Sequence, residues 1–252
     1  MYFFFLQSIS KNALKPLRRN LTALSLPNNL LKSIPDEIFG LPNLNRLDLS
    51  QNQIEKLDSD KLKQSLSLEN LDLSENSITG INNIEVPESM DKLVLKNNYL
   101  TLSTMSKFNF VRLKSLDISH NNLNGTLSKT NFQSSNILRM LDMSFNQLVN
   151  LTDECFINFP RLQRLNLESN RIELIEKRAF QGLQRLRRLD LSSNSIVELP
   201  RDVFNGLKGL EHLDLSSNHL QVYSFSHLKT GRDLSKVSYR LMANLIKTLT
   251  HS

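Results

Sequence analysis

Cys155, five histidines (His120, His212, His219, His227 and His251) and two files of charged side chains are the groups in this 252-residue chain with chemistry to offer. A nucleophilic cysteine works as its thiolate, held by a neighbouring base or cation. Cys155 sits in DECFINFP, directly before Phe156, and reads as a small apolar core residue. Metal binding needs Cys, His and carboxylate ligands at short regular spacing. His212 and His219 are close in sequence, but no such cluster surrounds them. There is no G-x-S-x-G, no Walker loop and no dinucleotide fingerprint. No catalytic constellation and no cofactor are expected. The charged files remain, and what they can do depends on the elements that align them.

Those elements repeat. The pattern L-x-x-L-x-L-x-x-N-x-L starts at Leu21, Leu44, Leu68, Met90, Leu113, Leu138, Leu162, Leu186 and Leu210, with 22 to 25 residues between starts. All 36 apolar framework positions are Leu, Ile or Met. In LRRLDL, Leu189 and Leu191 lie two apart on one side of a short strand, while Arg188 and Asp190 face the other. One repeat cannot bury its own leucines, so successive repeats must stack and share a core. The chain then turns sharply, and backbone groups inside that turn need partners. An asparagine amide both donates and accepts, which explains Asn29, Asn52, Asn76, Asn98, Asn121, Asn146, Asn170, Asn194 and Asn218 as a structural ladder. In the return half, Phe156, Phe180 and Phe204 stand at one offset before the next repeat, and Phe39 and Phe108 one residue closer. Stacked, they would form an aromatic spine.

These motifs resemble the leucine-rich repeat family over roughly residues 17 to 225. The resemblance implies an α/β repeat solenoid, a horseshoe whose concave side is a parallel sheet of about nine strands. At about 4.8 Å per strand that sheet is roughly 40 Å long. Half-repeats of about a dozen residues leave room for loops and short 3₁₀ turns on the convex side. Residues 1–20 are expected to form an N-terminal cap or incomplete repeat, with Leu14 and Leu17 covering the first strand and Phe3 to Leu6 as an apolar lid. Residues 21–225 are the repeat domain and 226–252 a tail. In the tail, Leu234, Val237, Leu241, Leu245 and Leu249 recur at steps of three and four, which predicts an amphipathic helix capped by Asp233. That helix is expected to cap repeat nine, since a solenoid end must be covered, or, with Lys229, Arg232, Lys236 and Arg240, to serve as a docking helix or surface anchor.

Each repeat sets the same offset at the same height, so surface side chains form rows. One row runs Ser25, Asp48, Asp72, Val94, Asp117, Asp142, Asn166, Asp190, Asp214. Most of these aspartates belong to the ordinary LDLS framework. The exceptions are candidate partner contacts: Val94 between Lys92 and Lys96, and Met140 with Phe145, where neighbouring repeats are polar. A second candidate surface is the basic cluster Arg161, Arg164, Arg185, Arg187 and Arg188, with His212 one repeat on. It suits an acidic protein or a sulfated glycan.

A net charge of +6 without a dense Lys/Arg tract gives no call for nucleic acid. No apolar run approaches membrane-spanning length, and MYFFFLQSIS makes a poor signal peptide. Sequons at Asn20, Asn124 and Asn150 are candidate glycosylation sites. The later repeats, as in AFQGLQRLRRLDLSSNSIVELPRDVFNGL, resemble chaoptin-like, Toll-like and Slit-like extracellular arrays. That resemblance implies adhesion or receptor-type recognition of a protein partner on the concave face or flank. Glycan or membrane-surface contact would run through the basic residues. The segment SIPDEIFGLPNLNRLDLSQNQIEKL is similar to Ras-suppressor-type intracellular repeats, and the single cysteine suits the cytosol. The alternative is therefore a cytosolic scaffold in GTPase or phosphatase signalling.

Overall fold

The computed structural model describes residues 5–80, 85–109 and 111–220, and the backbone of Ser238–Arg240. The chain forms two compact units, Met1–Asn122 and Leu123–Ser252. In the first, β1 (Ala23–Ser25), β2 (Arg46–Asp48), β3 (Asn70–Asp72), β4 (Lys92–Val94) and β5 (Ser115–Asp117) pair in that order, all parallel. In the second, β7 (Met140–Asp142), β9 (Arg164–Asn166), β11 (Arg188–Asp190) and β12 (His212–Asp214) do the same. Each strand is the x-L-x of one repeat, so the nine expected strands are present, five in one unit and four in the other. Equivalent positions register: Leu24 with Leu47, Leu165 with Leu189, Leu189 with Leu213.

The framework leucines of repeats two to nine are buried. Each contributes roughly 1.5–3 kcal/mol by leaving water. The first repeat is different: Leu21, Leu24 and Leu26 are only half-buried. Leu14 is half-buried beside them, whereas Leu17 and Phe5, expected as part of the cover, stay 48% and 47% exposed. Leu6 stands to Asn29 as Leu31 does to Asn52. Its N–H donates to Asn29 Oδ1 at 2.7 Å and its carbonyl accepts from the Leu30 N–H at 2.9 Å.

The return halves differ between the units. In the first they include one-turn helices α1 (Asp36–Phe39), α2 (Ser59–Leu62) and α3 (Leu102–Met105). Asp58 caps α2 by accepting from the Asp60 and Lys61 N–H groups. In the second, β6 (Asn124–Leu127), β8 (Gln147–Leu151) and β10 (Leu174–Ile175) form a separate parallel sheet where loops and 3₁₀ turns were expected. Repeats that place extended segments at one height bring their unpaired backbone groups into line, and pairing follows. Val149 is the extra residue that shifts the register between Gly125 and Thr126. The only 3₁₀ turn among the described residues is Lys15–Leu17.

Beneath the return halves runs the expected spine. Phe156 stacks on Phe180 at 6.1 Å and Phe180 on Phe204 at 5.8 Å, while Phe132 meets Phe159 edge-on at 5.5 Å. Phe39 and Phe108 are buried in the first unit.

The tail corrects one expectation. Where the helical spacing predicts a continuation from Asp233, Ser238–Arg240 is a strand, β13, paired in parallel with β12 and placing Tyr239 in register with Leu213. Val237, Tyr239 and Leu241 also alternate with period two. The open edge of β12 offers backbone partners that a helix could not use. The rest of the predicted helix lies outside the described residues.

Candidate recognition surface

The asparagine ladder has the geometry its residue type requires. Asn194 Oδ1 accepts from the Ile172 N–H at 3.0 Å, and its Nδ2 donates to the carbonyls of Leu167, Leu191 and Ser192 at 2.9–3.1 Å. Asn52, Asn76, Asn98 and Asn121 repeat this arrangement in the first unit. Asn170 and Asn218 repeat it in the second, and Asn146 there accepts from the Leu123 N–H. The residue before every ladder asparagine has φ between 51° and 56°, and none of the nine is glycine. Sequence reasoning missed this left-handed position, because the residues there share no side-chain property.

The acidic row is also structural. In Asp48–Ser50, Asp72–Ser74, Asp117–Ser119, Asp142–Ser144, Asp190–Ser192 and Asp214–Ser216, the carboxylate accepts from the serine N–H at 2.9–3.0 Å and from its hydroxyl at 2.6–2.7 Å. These bonds close the strand into its turn. Burial pushes the Asp48 carboxyl up, but bonds from Ser50 and Ser25 outweigh it and hold that carboxyl below its usual range. Repeat seven carries Glu168 where six other repeats carry serine. Burial, and then Asp190, Asp142 and Asp214, push its carboxyl above the usual range.

The candidate contacts divide between the units. In the first, Lys92 and Lys96 are exposed, but Val94 is 9% exposed and cannot serve as the apolar anchor expected of it. A short side chain standing in register between Asp72 and Asp117 is covered by its neighbours. In the second, Met140 is 40% and Phe145 44% exposed. Met140 pairs in register with Arg164, Arg164 with Arg188, and Arg188 with His212, so four predicted residues form one exposed row. Arg187 lies beside it and reaches Glu211 at 3.5 Å.

Cys155 is buried, its Sγ 3.6 Å from the Ala179 carbonyl, and burial drives its thiol far above the usual range. Among the described residues no group of His, Cys, Asp or Glu could hold a metal ion. Asn20 and Asn124 are exposed, whereas Asn150 is half-buried and donates to the Thr126 hydroxyl at 3.0 Å. No helix among the described residues is long and apolar enough to cross a membrane.

Comparison with known proteins agrees with this architecture. The leucine rich repeat family model matches residues 19–78, 138–196 and 184–235, and a second leucine rich repeat model matches 112–134. The chain is 35% identical over 141 residues to fibromodulin of Oryctolagus cuniculus, covering 53% of this chain and 90% of that relative. It is 31% identical over 139 residues to human fibromodulin, spanning 30% of that protein. Among solved structures, the TLR13–ssRNA13 complex superposes with a TM-score of 0.71 at 28% identity, over 80% of this chain and 29% of that one. The chain thus spans under a third of human fibromodulin and of TLR13. It belongs to the leucine-rich repeat family, and it is a protein–protein interaction module.

Proposed function

We propose that this leucine-rich repeat chain acts outside the cell or at its surface, as a non-catalytic adhesion or receptor-type element. It holds a protein partner on the solvent face of its strands. The observation that carries the reading is the exposed row Met140, Arg164, Arg188 and His212 with Phe145 beside Met140's strand. In the neighbouring row, Asp142, Asp190 and Asp214 are already satisfied by serines, and Asn166 accepts from the Glu168 N–H. Two apolar side chains rimmed by arginine form the anchor, since Met, aromatic residues and Arg concentrate in interface cores. The fibromodulin similarity supports the extracellular setting. The TLR13 neighbour is complexed with RNA, but here the exposed aromatics of the described residues are only Phe5, Tyr99 and Phe145. That is no row on which successive bases could stack.

The test places a photo-crosslinking amino acid at Met140, or at the exposed Lys177 of a return segment, in the chain expressed in animal cells. Crosslinks to a discrete protein from 140 and not from 177 support the reading; capture from 177 alone, or none from 140, overturns it. Glycosidase treatment of medium and lysate settles the compartment. A shift at Asn20 or Asn124 favours the outside, whereas an unmodified intracellular chain favours the signalling scaffold.

A further inference from the structure

We propose that Arg139, Arg161, Arg164, Arg185 and Arg188 form a docking surface for a sulfated polysaccharide. This surface shares Arg164 and Arg188 with the row above, but the proposal does not rest on the protein partner. All five side chains are exposed in the second unit, and none takes part in an ion pair with a described residue. Some cations elsewhere are paired closely, as Lys61 is with Asp36 at 2.6 Å, Lys63 with Glu85 and Lys114 with Asp91 at 2.7 Å, and Arg178 with Asp153 at 2.9 Å. Arg164 and Arg188 oppose each other in register on adjacent strands. Like charges at about 4.8 Å strand spacing repel, so the arrangement weakens the isolated fold and suits a multivalent anion. Arg161 and Arg185 precede these two by three residues in consecutive repeats, which duplicates the pair. At the other ends of the same strands stand Asn166 and Asp190, the latter's carboxylate held by Ser192.

Two features favour sulfated polysaccharide over other anions. The cations are all arginine, whose planar fork matches sulfate oxygens and sheds water more readily than an ammonium. The stretch between Arg161 and Arg188 exposes no aromatic ring for base stacking. A hydrated, linear chain with anions at regular intervals needs no such ring.

The test titrates the full chain with heparin at 50 and 200 mM NaCl. With about four arginines engaged, counterion release predicts a log–log slope near −3, or about 60-fold weaker binding at the higher salt. Substituting Arg161→Ala, Arg164→Ala, Arg185→Ala and Arg188→Ala together should weaken binding at least about tenfold and flatten the slope. Removing the same charge elsewhere, with Lys11→Ala, Lys15→Ala, Lys32→Ala and Arg46→Ala, should leave it within about twofold. Far-UV circular dichroism confirms that both variants fold. The fourfold Arg→Lys variant, which keeps charge and fold, should retain the slope with weaker affinity. Equal loss in the two alanine variants overturns the proposal. So does binding of desulfated heparin, polyglutamate or a single-stranded oligonucleotide as tight as that of heparin.

Discussion

Replacing Asn194 by alanine removes four hydrogen bonds from a side chain that is 5% exposed. The losses are unequal. The carbonyl of Leu167 keeps a bond from Asn170, that of Leu191 keeps one from Asn218, and that of Ser192 keeps the Ser169 N–H. The Ile172 N–H keeps nothing, because Asn194 Oδ1 is the acceptor it has in the structure. One orphaned buried donor costs about 1–3 kcal/mol, and three weakened carbonyls add roughly 0.5 kcal/mol each, for a total near 3 kcal/mol. Asn194→Asp sharpens the test. Its carboxyl can still accept from Ile172, but its second oxygen meets three carbonyls where an amide donated. The folded-state pKa of that aspartate must therefore rise, so its contribution is full below the unfolded value of about 3.9 and lost as pH rises through the folded value. Urea unfolding followed by circular dichroism, from pH 4 to 7, measures both variants. The aspartate variant should lose stability relative to the alanine variant as pH increases. A cost under about 1 kcal/mol for alanine, or parallel pH profiles for the two variants, refutes the ladder energetics.

Three further outcomes are expected. Cys155 should resist a thiol reagent in the native protein and react at the rate of unfolding when urea is added, since its thiol is buried and held protonated. Gly182→Ala should cost about 1–2 kcal/mol, because Gly182 has φ of 92° and a Cβ there would lie 2.7 Å from Ile157 Cδ1; Gly40→Ala, whose Cβ would meet only Glu37 O at 3.7 Å, should be neutral by thermal denaturation. Glu168→Gln should stabilise the protein near pH 7 by about 0.5 kcal/mol and not at pH 3.5, because the raised carboxyl is favourable to folding only while protonated.

The repeat, its strands, the ladder and the aromatic spine were legible in the residues alone. Each depends on a side-chain type recurring at a fixed offset, and stacking carries that offset unchanged into space. The nine asparagines could be assigned a job because the turn leaves backbone groups that only an amide can serve from both sides. What decided the remainder was context beyond one repeat. Val94 and Met140 occupy neighbouring rows and look equally exceptional in sequence, yet one is covered and the other exposed, because exposure depends on the side chains flanking it on adjacent strands. The second sheet arises only once consecutive return segments align their backbones. At Ser238–Arg240 a three- and four-residue apolar spacing gave way to strand pairing, since the edge of β12 supplies partners that local periodicity cannot register. Likewise, five arginines in a sequence are merely basic residues; that they are exposed without an ion pair to any described carboxylate, Arg164 and Arg188 in register, is a property of the fold.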